Sequence, residues 1–223
     1  MIRLGDLESA LGYRFRQPGH LIEALCHRSW AADYGGASNE RLEFLGDTIL
    51  QMVVTNFIYE EYPRFAEGKM AQLRSSVVNK KVLYLIAQEL DLGVYLSLGA
   101  GEEATGGREK TSILADAMEA VIGAVYLDGG LTAADELIME RWEERIRAEA
   151  REPGRRDYKS RLNVALGQEA GRVRYEVTFS GPDHDRLYTA WAFLGDQELG
   201  KGSGGSKREA EQQAASQSID LIA

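Results

Sequence analysis

The run Ser112-Ile113-Leu114-Ala115-Asp116-Ala117-Met118-Glu119-Ala120-Val121-Ile122-Gly123-Ala124-Val125-Tyr126 restricts this chain more than any other stretch. It is apolar nearly all round, as a helix buried on every side must be. Only Asp116 and Glu119 break it, and at i,i+3 they share a face. An unpaired buried carboxylate costs several kcal/mol or takes up a proton. No Lys or Arg follows within the run to pair with them. Either a cation from elsewhere in the chain compensates the two acids, or they bind a metal.

A second acidic helix offers partners. Asn39-Glu40-Arg41-Leu42-Glu43-Phe44-Leu45-Gly46-Asp47 opens a helical pattern in which Leu42, Leu45, Ile49 and Val53 form an apolar face. Glu40, Glu43 and Asp47, three and four residues apart, stack along another face. Ser38 or Asn39 suits the N-cap, and acids in a first turn suit the helix dipole, so Glu40 and Glu43 also have a purely structural reading. Asp47 lies a turn further in, where that argument fades. Set opposite Asp116 and Glu119, Glu43 and Asp47 would complete a four-carboxylate cluster. Hard oxygen ligands without Cys or His suit Mg²⁺, with Mn²⁺ a plausible substitute, rather than zinc.

The rest of the chain sets the frame. Its 223 residues hold one large or two modest domains, and 44% hydrophobic content is ordinary for a globular protein. The single cysteine, Cys26, excludes an intrachain disulfide and a cysteine-built zinc site. The N-terminus lacks a signal-peptide layout, and no apolar run approaches the roughly 18 residues of a membrane helix. A reducing, cytoplasmic location with no membrane partner is expected. The net charge of -9 argues superficially against nucleic acid, but a carboxylate-rich site contributes to it.

Residues 1–150 show no convincing strand and read as an all-α domain. Leu4 to Phe15 and Leu21 to His27 suggest two short helices, with the polar stretch around Gly35-Gly36 a loop. His27-Arg28-Ser29-Trp30 reads as a helix end closed by polar groups, or as a ligand contact. A helical pattern opening at Glu67 runs on through Leu90. Residues 99–110 read as a glycine-rich loop, and Asp128-Gly129-Gly130 as a turn before a last charged helix. Arg151 to Arg156, with Pro153-Gly154, is the expected linker. Residues 157–223 then follow an α-β-β-β-α order: a helix from Asp157 to Ala170, strands near 173–179, 187–194 and 197–201, and a final helix. Ser206 and Glu209 fit a capping box that starts this last helix. Lys207 and Arg208 fall in its first turn, against the dipole, beside free backbone N–H groups. That is an anion site if a phosphate meets it, and otherwise two solvated surface cations.

Three motifs in order, at family-like spacing, resemble bacterial ribonuclease III over essentially the whole chain: residues 39–47, residues 112–120, and the set 158–162, 181–184 and 202–211. The last set resembles a double-stranded-RNA-binding domain. The resemblance implies an α+β multidomain protein, an all-α endonuclease domain followed by the RNA-binding domain. It implies a Mg²⁺-dependent endoribonuclease that cuts double-stranded RNA, including ribosomal RNA precursors and structured transcripts, by a two-metal-ion mechanism. The products would carry 5′-phosphate and 3′-hydroxyl ends with short 3′ overhangs. By the same analogy Glu43, Asp47, Asp116 and Glu119 hold the metal, Asp47 and Glu119 are the most directly catalytic, and Glu40 and Glu67 are supporting acids. The family is homodimeric, with Phe44 packing into the other subunit. His184 would reach an RNA minor groove, and Lys207 and Arg208 would take phosphates. The rivals are an RNA-binding scaffold without turnover and a helical phosphohydrolase acting on nucleotides. The scaffold would be favoured by loss of one acid, and all four are present. The phosphohydrolase leaves residues 157–223 unexplained.

Overall fold

The computed structural model describes residues 4–151, 158–167, 173–181 and 186–222. Contacts divide the chain into two units, Met1–Pro153 and Gly154–Ala223. The first is helical: α1 (Leu4–Leu11), α2 (Pro18–Ala24), α3 (Arg28–Tyr34), α4 (Glu40–Glu61), α5 (Glu67–Val77), α6 (Lys80–Glu89), α7 (Ala100–Ala104) and α8 (Thr111–Arg151). The apolar run of 112–126 forms the first arm of α8 and is buried as its composition demands, with Met118, Val121, Ile122 and Val125 fully covered. Leu50 and Val54 of α4, and Leu83 and Ile86 of α6, close over it in one hydrophobic core. Trp142, fully buried in the second arm, donates from its indole N–H to the carbonyl of Val77 at 3.0 Å. That bond satisfies one of the carbonyls left open at the end of α5.

The structure departs from the sequence reading in four places. Residues 28–34 form a helix, and His27 begins it rather than ending one, its ring nitrogen accepting from the backbone N–H of Ser29. The long pattern from Glu67 to Leu90 is two helices, because the Asn79 side chain accepts from the N–H groups of Lys81 and Val82 at 3.1 and 3.2 Å and caps a new start. The glycine-rich stretch contains α7 and a 3₁₀ turn at Gly107–Glu109. The turn at Asp128–Gly130 is a single residue, Gly130, whose φ of 78° breaks α8 into two arms without an intervening loop. At His27 and Asn79 the deciding bond is local and polar, and at Gly130 it is one residue's backbone conformation, neither of which hydrophobic periodicity registers.

The second unit has α9 (Tyr158–Leu166), β1 (Val173–Ser180), β2 (Leu187–Leu194), β3 (Gln197–Gly204) and α10 (Lys207–Ile222). The three strands form an antiparallel sheet in the order β1-β2-β3. Ala190 and Ala192 of the sheet and Ala210 and Ala214 of α10 are fully buried and let helix and sheet approach closely, with Tyr175, Val177 and Tyr188 packed around them. Residues 168–170 of the expected helix lie outside the described residues, and helix α9 spans Tyr158–Leu166. Gly167 follows it with φ 53°, a helix-terminating conformation open to glycine. The capping pattern at α10 is present: Ser206 Oγ accepts from the N–H of Glu209 at 3.2 Å, and the Glu209 carboxylate accepts from Gly205 N–H at 3.1 Å.

Candidate metal centre and nucleic-acid interface

The site is made where α4 crosses the first arm of α8. Gly46 is the point of closest approach: a Cβ there would lie 1.8 Å from the carbonyl oxygen of Glu119. A Cβ on Gly123 would lie 2.4 Å from the carbonyl oxygen of Leu42. Two glycines therefore let backbone meet backbone. Glu43, a turn before Gly46, and Asp47, next to it, are thereby brought up to Asp116 and Glu119 on the facing helix.

Oxygens of Glu43, Asp116 and Glu119 lie within 4.8 Å of one another, each side chain half-buried. The Asp47 carboxylate is turned along its own helix, where both its oxygens accept from Gln51 Nε2 at 2.9 Å. It still bears on the cluster electrostatically. Burial, and then the charges of Asp47, Glu43 and Asp116, push the Glu119 carboxyl up to about 8, against a smaller opposing pull from Lys80. Burial, followed by the Asp116 charge, also raises Glu43. The compensating cation that sequence left open is Lys80, whose Nζ lies 3.2 Å from Asp116. Lys80 is ion-paired to one carboxylate and Arg28 lines the same cavity, so the acids outnumber the cations there. An all-oxygen, half-buried donor set with excess negative charge fits a hard divalent cation.

An open cavity of about 470 Å³ adjoins the cluster. Glu40 lines it, exposed and held by Ser38 Oγ at 2.8 Å, and so do Arg28, Lys110 and His27. Burial lowers the His27 pKa, partly offset by Glu102. Ser29, bonded to the His27 ring, also accepts from Gly99 N–H at 2.9 Å and ties α3 to the loop before α7. Glu67 does not join the cluster within one chain. It opens α5 and lines a separate groove with Tyr59, Met70 and Arg74. Phe44 is 79% exposed on α4. Lys207 and Arg208 are exposed in the first turn of α10, and His184 lies outside the described residues. Sequence reasoning missed the roles of Gly46, Gly123 and Lys80. Glycines within an apolar helical run were the available signal for the first two. Nothing in sequence pointed Lys80 at Asp116.

With this geometry in place, comparison with known proteins identifies the family. Residues 18–146 match the family described as Ribonuclease-III-like, and residues 158–222 match the double-stranded RNA binding motif. The chain belongs to the ribonuclease III family and is an endoribonuclease acting on double-stranded RNA. It is 48% identical to Ribonuclease 3 of Streptomyces coelicolor over 94% of this chain and 76% of that protein. It is 42% identical to Ribonuclease 3 of Caldanaerobacter subterraneus over 97% and 96%. Among solved structures, the nuclease domain of ribonuclease III from Campylobacter jejuni matches with a TM-score of 0.61 and 39% identity, over 65% of this chain and 97% of that one. A further structure of that domain, described for flexibility in a region involved in dimer formation, matches with a TM-score of 0.59 over 63% and 99%. The family is metal-dependent, and the Glu43–Asp116–Glu119 cluster is a group that could bind the ion. Among the described residues no helix is long and apolar enough to cross a membrane.

Proposed function

We propose that the chain cleaves duplex RNA with Mg²⁺, or Mn²⁺ in its place, held by Glu43, Asp47, Asp116 and Glu119. The observation that carries this is the convergence of Glu43, Asp116 and Glu119 oxygens within 4.8 Å at a half-buried helix crossing answered by one lysine. A divalent ion there supplies what an in-line displacement at a phosphodiester needs: activation of water and shielding of charge on the leaving 3′ oxygen, whether as one ion or as a pair. Glu119, held protonated near neutrality without an ion, would release that proton to solvent beside a bound cation, and its carboxylate would then serve to hold the ion and the attacking water. Asp47, bonded to Gln51 in the metal-free chain, would have to turn from it to complete the set. Glu40 supports the rim. The products are 5′-phosphate and 3′-hydroxyl ends.

A second copy of the chain is the partner for α4. Phe44, Met52 and Tyr59 are 79%, 45% and 69% exposed, and at helical spacing they fall on one stripe. So large an apolar stripe on a helix is costly to leave in water, and dimer formation is named for the nuclease domain of the Campylobacter relative. Pairing along this stripe puts Phe44 in the interface and brings Glu67 of one copy toward the acids of the other. Two sites across the dimer then cut opposite strands with a stagger, leaving short 3′ overhangs. Lys207 and Arg208 take phosphates at the head of α10, and His184 reaches a minor groove. A domain of this type spans about 16 base pairs by shape. Cytoplasmic precursors of ribosomal RNA and structured transcripts are the substrates this reading favours.

The test is a long, perfectly paired RNA incubated with the protein, with and without Mg²⁺, and its product ends mapped. Mg²⁺-dependent shortening to 5′-phosphorylated duplexes with 3′ overhangs is expected. Binding without cleavage in either metal would replace this reading with that of an RNA-binding scaffold.

A further inference from the structure

Lys80 makes the only ion pair to a cluster carboxylate among the described residues. It reaches Asp116 from an unfavourable station. Asn79 caps α6, so Lys80 occupies its first helical position, where the positive end of the dipole opposes a cation. Its side chain is 57% exposed beside the 470 Å³ cavity, and Asp116 is 33% exposed. Its placement is therefore one that the neighbouring carboxylates, rather than the helix, explain.

We propose that Lys80 is a built-in counter-cation of the carboxylate cluster, stabilising the metal-free chain and holding its metal affinity below what the acids alone would give. This rests on the metal-site reading above. The ammonium lies on the same carboxylate a divalent ion needs, and like charges at that range repel strongly in a partly buried site. On binding, the lysine leaves Asp116 and its flexible stem carries the charge into the open cavity. Proton competition does not reverse the sign: a divalent ion carries twice the charge of the proton it displaces, so Lys80 opposes the ion more than the proton.

The full chain, with Lys80→Met and Lys80→Arg, would be titrated with Mn²⁺ by calorimetry at low ionic strength without RNA, and melted in chelator. Lys80→Met should bind Mn²⁺ about tenfold more tightly, the effect of one nearby charge worth roughly 1.4 kcal/mol. It should also melt at a lower temperature in chelator, and Lys80→Arg should stay within about twofold of the wild type. Equal or weaker Mn²⁺ binding by Lys80→Met, with the wild type binding normally, overturns the role of Lys80 and leaves the metal site standing. No saturable binding by the wild type overturns the metal site itself, and this proposal with it.

Discussion

Replacing Gly46 with alanine should separate the site from its fold. The added Cβ would meet the Glu119 carbonyl oxygen at 1.8 Å, the Glu119 carbonyl carbon at 2.7 Å and the Gly123 nitrogen at 2.9 Å. These are backbone atoms inside a helix and cannot rotate away. Restoring a contact of at least 3.0 Å requires α4 and α8 to part by about 1.2 Å, the difference between those two distances. Overpacking of this kind costs about 1–3 kcal/mol, and rigid neighbours put Gly46→Ala at the upper end. At roughly 2–4 °C per kcal/mol for a domain of this size, the helical unit should melt about 6–12 °C lower. The catalytic loss should exceed what unfolding explains. Glu43 and Asp47 flank Gly46, and displacing reacting groups by about 1 Å can cost on the order of 10²-fold in rate. The assay is cleavage of a long duplex at 20 °C, well below the transition, alongside thermal denaturation followed by circular dichroism. Gly68→Ala serves as the control, because no atom lies within 4 Å of a Cβ there and α5 should gain up to about 1 kcal/mol. If Gly46→Ala melts with the wild type and cleaves at the same rate, the crossing does not set the acid geometry.

Glu119 makes the metal-free protein pH-sensitive. Its carboxyl titrates near 8 in the fold against an ordinary 4.5, so the folded state binds the extra proton and stability falls as pH rises through that window. Melting in chelator at pH 6 and pH 8.5 should show the loss, and Glu119→Gln should flatten it; an unchanged slope in that variant would refute the assignment. Asp128 accepts from the Tyr13 hydroxyl at 2.7 Å and from the N–H groups of Arg16 and Gln17 at 2.8 Å. Burial alone would raise its carboxyl, but these bonds outweigh burial and hold it below the usual range. Asp128→Asn turns an NH₂ toward donors and should cost about 1–3 kcal/mol, read as a lower denaturant midpoint with cleavage retained at low temperature. Phe44→Ala should leave the helical content unchanged and move the chain toward monomer in sedimentation velocity; a dimer of unaltered affinity would remove Phe44 from the interface.

Much of this protein is written in its sequence, because the relevant signals are local. The all-round apolarity of 112–126 determined that a helix would lie at the centre of the first unit, since only burial makes such a surface affordable. The break in that apolarity singled out Asp116 and Glu119. Period-2 alternation in 173–179 and the Ser206/Glu209 pair determined the order of elements in the second unit. The three-dimensional fold decided what depended on distant partners. It brought Lys80 to Asp116 and gathered Glu43, Asp116 and Glu119 at one helix crossing. It turned Gly46 and Gly123 from weak helix formers into the contact that sets the site, and it placed Glu67 apart from the acids within one chain. Sequence periodicity records which face a residue occupies. Only the packed structure records how closely two faces meet, and the interaction of charges depends on that distance.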